Sequence, residues 1–221
     1  MAGMQLFLTP TSPFARAVLV TALECRVGDL HLCWTDPWRS PADLLQANPF
    51  CTVPTLMTGQ GEALWDSGVI CDYLLGLQAP SAPLRSPADD VARLRRQATA
   101  RMLMEVAVKK VVLERHRGRT DQAAELLIGR ATDAIARALR RLEPGPPAPA
   151  AGVRADMADL MLAVALEYVR FRHGALYDAE ANAALAPWLE SWSARPALVL
   201  TTPAALAARP AYDNLFDMAA S

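Results

Sequence analysis

Cysteine is scarce in this chain and its spacing carries no pattern. The four thiols, Cys25, Cys33, Cys51 and Cys71, form no Cys-x-x-Cys pair and no metal-type spacing with His31, His116 or His173. That argues against a bound metal and reads as reduced thiols in a cytoplasmic protein. Charge of one sign is lacking too. A formal net charge of −1 supplies no overall basic field for nucleic acid or an anionic membrane. The local basic run, Lys109-Lys110 and then Arg115 to Arg119, reads as a solvated helix end. No uninterrupted apolar stretch is long enough to cross a bilayer. Met1 to Thr9 has no basic region followed by an extended apolar one, so it reads as a first strand and not as a secretory leader. There is no internal repeat.

Hydrophobic residues make up 52% of the chain and charged residues 20%, the balance of a globular protein able to bury a core. The character of the sequence changes near residue 80. Before it, strand-like and helical runs alternate. Gln5 to Leu8 and Leu30 to Trp34 read as strands around a helix from Pro13 to Cys25, with a weak helix over Ala42 to Gln46. Thr55 to Met57 and Ala63 to Trp65 predict a hairpin across Gly59-Gln60-Gly61, and Ser67 to Leu77 a closing helix. The order βαβ then ββα predicts a small α/β domain over residues 1–78 with a mixed sheet.

Residues 79–87 have the proline and small-residue content of a linker. Residues 88–221 read as entirely helical, with nothing strand-like beyond Pro87. Val91, Leu94, Ala98 and Met102 form one helical stripe, and Ala124, Ile128, Ala131, Ile135, Leu139 and Leu142 another. A proline-rich break at Pro144 to Pro149 follows. Met157 to Phe171 is apolar on more than one face and so belongs at the centre of a bundle. Asp156 is placed to cap it and Asp159 stands at N3 of a capping-box pattern. Helices are expected over Ala181 to Ala194 and Ala197 to Ala208, and His116 and His173 are placed to satisfy helix-terminal carbonyls. The fold class is therefore α+β.

Three short stretches bear on function: Thr11-Ser12-Pro13-Phe14, Asn48 to Leu56, and Trp65-Asp66-Ser67-Gly68. The first and third read as helix starts, each with a small hydroxyl or carboxylate residue placed to cap. The middle one sets Pro54 before an apolar run, where a cis bond would leave the Val53 N–H and C=O exposed. Two helix N-termini and a bare backbone edge suit a small, peptide-like anion. Each stretch also has an ordinary explanation: Ser12-Pro13 as a cap with proline at N1, Pro54 as a trans residue opening a strand, Asp66 or Ser67 as a plain cap.

In this order and spacing the chain resembles the glutathione S-transferase family over nearly its whole length. Ser12-Pro13-Phe14 with Arg16 is similar to the opening of tau-like and several bacterial members. Asn48-Pro49 through Val53-Pro54 matches the family's cis-proline signature, and Asp66-Ser67 its acidic-Ser pair. Asp156 to Asp159 is similar to its capping box, and Tyr168 to Arg172 to the end of that helix in a bacterial branch. The resemblance implies a thioredoxin-like domain followed by an all-helical one, a homodimer, and glutathione as co-substrate.

Ser12 would then donate a hydrogen bond to the bound thiol. A thiol pKa near ~8.5 must fall by ~2 units to make thiolate the majority, which needs about 2.7 kcal/mol. A hydroxyl bonded to a charged acceptor supplies roughly 1.5–3 kcal/mol and the α-helix terminus roughly 0.3–1 kcal/mol more. Val53 and Pro54 would pair with the cysteinyl backbone, Ser67 would receive a carboxylate, and Asp66 the amino group. The thiolate would attack a small hydrophobic electrophile. Phe14, Trp38, Met102, Tyr168 and Tyr212 are candidates for that second pocket, although ordinary packing explains each. The chain departs from the family pattern at Cys51-Thr52, where Gly-Lys is frequent, and the lost lysine removes a contact to a glutathione carboxylate. Serine at position 12 counts against mixed-disulfide chemistry. A non-catalytic ligand-binding or partner-binding module of the same fold is the alternative.

Overall fold

The computed structural model describes residues 3–78, 84–85, 90–118, 121–150 and 153–220. In chain order its elements are β1 (Met4–Leu8), α1 (Pro13–Glu24), β2 (Leu30–Trp34), a 3-10 turn (Pro37–Arg39), α2 (Ala42–Ala47), β3 (Thr55–Met57), β4 (Ala63–Trp65), α3 (Ser67–Leu77) and β5 (Leu84–Arg85). They continue as α4 (Val91–His116), α5 (Gln122–Arg141), β6 (Ala155–Asp156), α6 (Met157–Arg172), α7 (Gly174–Glu180), α8 (Leu185–Ser193), α9 (Pro196–Leu200), α10 (Pro203–Leu206) and α11 (Tyr212–Ala220). Contacts divide the chain into two units. One comprises Met1–Arg85, Ala150–Ala155 and Ala194–Ser221; the other Ser86–Pro149 and Asp156–Ser193.

The first unit is built on a four-stranded sheet in the order β2-β1-β3-β4. β1 and β2 run parallel because α1 supplies the crossover between them. β3 is antiparallel to both β1 and β4, and the β3–β4 turn closes with the Gly61 N–H donating to Thr58 O at 2.9 Å. Gly61 has φ +84°, a conformation that suits the absence of a side chain. The mixed sheet read from the sequence is therefore present. α1 is buried almost all round, from Ala15 through Leu23, and packs against α3.

The carboxyl-terminal segment differs from the expected 88–221 helical block, since Ala194–Ser221 groups with the sheet unit. Three polar anchors account for this. Arg195 donates from Nε and Nη2 to both carboxylate oxygens of Glu24, at 2.9 and 2.6 Å, and both residues are buried. Arg16 donates to Leu198 O at 3.0 Å and Thr201 Oγ1 at 3.3 Å. The Tyr212 hydroxyl donates to Val27 O at 2.8 Å. A helical stretch whose polar partners sit on α1 and just after it cannot be assigned by periodicity alone. Most of the expected linker, 79–83 and 86–87, lies outside the described residues, and Leu84–Arg85 form β5.

The second unit packs α4 against α5 and α6, with α7 and α8 completing the layer. α6 is apolar all round and its residues from Met157 to Leu166 are buried, as its sequence requires. Asp156 caps it by accepting from the Ala158 N–H at 2.9 Å. Asp159 turns to Arg96 on α4, 2.5 Å away, and no capping-box return to Asp156 is made among the described residues. Burial raises the Asp159 carboxyl pKa to about 6, against the pull of Arg96. The Pro144–Pro149 break approaches this carboxylate so closely that a side chain at Gly145 would collide with Asp159 Oδ1.

Several helical expectations are corrected. The Val91, Leu94, Ala98 and Met102 stripe faces outward, and α4 buries Ala100, Leu103, Met104 and Ala107 instead. The expected 181–194 helix starts later, as α8 from Leu185, because Asn182 lies outside it and bonds the Leu139 and Leu142 carbonyls at 3.2 and 2.9 Å; α7 precedes the expected range altogether. The 197–208 helix breaks at Thr201–Thr202, where Pro203 lacks an N–H and Thr202 caps the next turn. α11 lay beyond the expected helices, and β6 is a two-residue strand beyond Pro87. His173 reaches across to α4, its Nε2 lying 3.1 Å from Ala107 O, and does not cap its own helix with its ring.

Candidate functional site

The register of the sheet decides the location of the site. Phe7 on β1 lies opposite Thr55 on β3, and Thr55 lies opposite Trp65 on β4. The chain therefore leaves β1 toward Ser12, enters β3 from Val53-Pro54, and leaves β4 toward Asp66-Ser67, all at one end of the sheet. β2 ends there as well, since Trp34 pairs with Leu8, and the 3-10 turn carrying Trp38 follows. With strands about 4.8 Å apart, the row from Phe7 to Trp65 spans roughly 10 Å, the reach of a short peptide.

Ser12 is the N-cap of α1. Its Oγ accepts from the Ala15 N–H at 3.2 Å and its carbonyl accepts from the Arg16 N–H at 3.0 Å. The cap thus uses the oxygen as acceptor and leaves the hydroxyl proton without an acceptor among the described residues. Pro13 at N1 has no N–H to offer, so Phe14 presents the first unpartnered amide of the helix. The Arg16 guanidinium is buried and directed toward α9.

The Val53–Pro54 peptide is cis. The loop before it is held by Asn48, a fully buried residue that sequence reasoning used only as half of a dipeptide. Its Nδ2 donates to Thr55 Oγ1 at 2.9 Å and to Thr52 Oγ1 at 3.1 Å, while its Oδ1 accepts from the Phe50 N–H at 2.9 Å. The Thr55 hydroxyl in turn donates to Thr52 O at 2.8 Å. A side-chain amide with donors and an acceptor, lying between a helix end and a proline loop, is the signal that would have found it. Thr52, which stands where lysine is frequent, is thereby part of the loop clamp. The Val53 N–H and C=O have no hydrogen-bond partner among the described residues.

Asp66 caps α3 with φ +70°, its Oδ1 accepting from Gly68 N–H at 2.8 Å and Val69 N–H at 3.2 Å. Ser67, at N1, is buried, and its own N–H is not taken by that cap. Two helices of twelve and eleven residues thus begin at the same end of the sheet. Their partial positive termini favour an anion there.

Phe14 is half-buried on the first turn of α1 and Trp38 is 64% exposed. Phe50 and Trp65 add a second exposed aromatic pair, with ring centroids 6.3 Å apart, which sequence reasoning did not single out. Met102 and Tyr168 belong to the helical unit: Met102 is exposed on α4, and Tyr168 is 6% exposed in the core of α6, where burial raises its pKa. Tyr212 is buried with its hydroxyl committed to Val27, the packing role that its sequence position also allowed. Cys25 and Cys33 do not supply a thiolate readily. Burial pushes Cys25 up to about 12 and raises Cys33, with Asp43 adding to the effect. Cys51 sits at φ +49° with its thiol 3.5 Å from Pro37 O. Among the described residues no cluster of His, Cys, Asp and Glu could hold a metal, and no helix is long and apolar enough to cross a membrane.

Residues 11–75 match the family model for the glutathione S-transferase N-terminal domain. A glutathione transferase family member from Pseudomonas fluorescens Pf-5, solved with bound glutathione, is 30% identical, with 90% of this chain and 98% of that one covered at a TM-score of 0.77. The structure from the same organism with bound S-(propanoic acid)-glutathione aligns at 28% identity and a TM-score of 0.71, covering 90% and 97%. The uncharacterized GST-like protein YibF of Escherichia coli (strain K12) is 28% identical over 179 residues, 76% of this chain and 83% of its own.

Proposed function

Since the chain belongs to the glutathione S-transferase family, we propose that it binds glutathione at the sheet end described above and activates its thiol through Ser12 for attack on a small hydrophobic electrophile. The observation that carries this reading is the Ser12 hydroxyl, whose oxygen is engaged by the Ala15 N–H while its proton has no acceptor among the described residues. A sulfur brought to that proton completes the hydroxyl's bonding without breaking the cap. The nearby Phe14 N–H offers a second donor to the same negative charge. Val53 offers a backbone donor and acceptor to the cysteinyl residue, and the Ser67 N–H at the start of α3 receives a carboxylate. Asp66 Oδ1 caps α3, and the same carboxylate would meet the ammonium group. The bound conjugate in the Pseudomonas relative supports chemistry at sulfur. Free cysteines and dependence on glutathione agree with a cytoplasmic setting.

Ser12→Ala tests this. With a hydrogen bond to a charged acceptor worth roughly 1.5–3 kcal/mol, conjugation of 1-chloro-2,4-dinitrobenzene should fall about 10- to 150-fold. Glutathione affinity should change little. The pKa of the bound thiol, read from thiolate absorbance against pH, should rise by 1–2 units, roughly. Turnover and thiol pKa both at wild-type values would remove Ser12 from the mechanism.

Thr52 favours the second reading, a binding module without turnover, because the side chain that would otherwise reach a carboxylate is replaced by one committed to its own loop. Calorimetry separates the two: no heat with millimolar glutathione supports the module. Homodimerisation is the accompanying proposal. The exposed Val91, Leu94, Ala98 and Met102 stripe on α4 supplies an apolar face for it. A Leu94→Glu change should shift sedimentation toward the monomer.

A further inference from the structure

We propose that the helical unit carries a second binding site, an arginine-lined cavity between α4 and α5 that takes a small organic polyanion. The cavity has a volume of about 560 Å³, within the range of ligand pockets. Arg95, Arg96 and Thr99 line it from α4, Arg137 and Arg141 from α5, and Glu143 from the segment that follows. Four guanidinium groups thus face one carboxylate in a chain whose formal net charge is −1.

The usual reasons for such arginines are met elsewhere. Arg96 alone of the four has a counter-ion, Asp159 on α6. Arg93, on the neighbouring face of α4, is occupied with Asp90 and Asp156. At the end of α5, where cations commonly satisfy terminal carbonyls, the Leu139 and Leu142 carbonyls already accept from Asn182. Arg140 there is paired with Glu180. Arg95, Arg137 and Arg141 are left without an ion pair or hydrogen bond from their side chains among the described residues. Like charges gathered around a concavity repel one another. They are explained by an anion that bridges them.

Guanidinium groups grip carboxylate and phosphoryl oxygens in the same bidentate way, so the shared chemistry is two or more such groups on one small molecule. Ala92, Ala138 and Leu142 line the rest of the cavity and give an apolar wall for its body. This site lies wholly within the helical unit and uses none of the residues assigned to glutathione.

Calorimetry of the full chain at low salt, with pyrophosphate in one arm and citrate in the other, tests the proposal. Saturable one-to-one heat is expected for at least one probe, and the tighter probe assigns phosphoryl or carboxylate chemistry to the site. Affinity should weaken about tenfold or more in an Arg137→Ala/Arg141→Ala double variant and fall with added salt. It should be retained in Ser12→Ala and partly retained in Arg137→Lys/Arg141→Lys. Both arginines are exposed on α5, so the double variant should melt as the wild type does. No saturable heat with either probe, or an affinity unchanged in the double alanine variant, overturns the assignment.

Discussion

The two units handle polar groups in opposite ways. In the sheet unit, the groups turned toward the candidate site are mostly main-chain ones: the Phe14 and Ser67 amides, the Val53 N–H and C=O, and one serine hydroxyl. Side chains there mainly hold the backbone, as Asn48 holds the 48–55 loop. The helical unit satisfies its main chain within helices, so its distinctive groups are charged side chains brought together from α4, α5 and α6. A site made of backbone follows from short local sequence. A site made of side chains from separate helices depends on how those helices pack.

The largest effect is expected at the anchor of the carboxyl-terminal segment. Arg195→Ala leaves Glu24 buried without its partner and should cost about 3–5 kcal/mol in chemical denaturation. A loss below 1 kcal/mol, roughly, would mean that the segment does not depend on this pair. Asn48→Ala removes donors from Thr52 and Thr55 and the acceptor of the Phe50 N–H. It should cost roughly 2–3 kcal/mol and weaken glutathione binding, whereas unaltered affinity would separate the clamp from the site. The smallest effect is a pH dependence in the helical unit. The Asp159 pKa is raised to about 6 by burial, above its unfolded value of about 3.9. Stability from this group is therefore fully present below about pH 4 and is lost as pH rises through about 6. Melting between pH 4 and 7 should show this decline, worth roughly 2 kcal/mol, and Asp159→Asn should remove that slope.

Ser12, Asp66 and Asp156 were legible as caps because an N-cap is a local arrangement, fixed within three or four residues. The hairpin around Gly61 was legible for the same reason. The outward α4 stripe shows where periodicity fails. A row of apolar residues at 3.6 spacing shows that one face can be buried, but Ala100, Leu103, Met104 and Ala107 form a second such row and that is the one buried. The 181–208 region shows another limit, since Asn182 bonds a carbonyl forty residues away and the helix begins only after it, at Leu185.

The sequence by itself determined the strand and helix order of the first 78 residues, the caps that open α1 and α3, and the all-round apolarity of α6. These rest on propensity and capping between near neighbours. Tertiary structure alone decided that the last helices join the sheet unit, that Asn48 ties the proline loop, and that four arginines surround one cavity. Each of these joins residues far apart in the chain, and a buried charge or amide takes its partner from whatever the packing brings within about 3 Å.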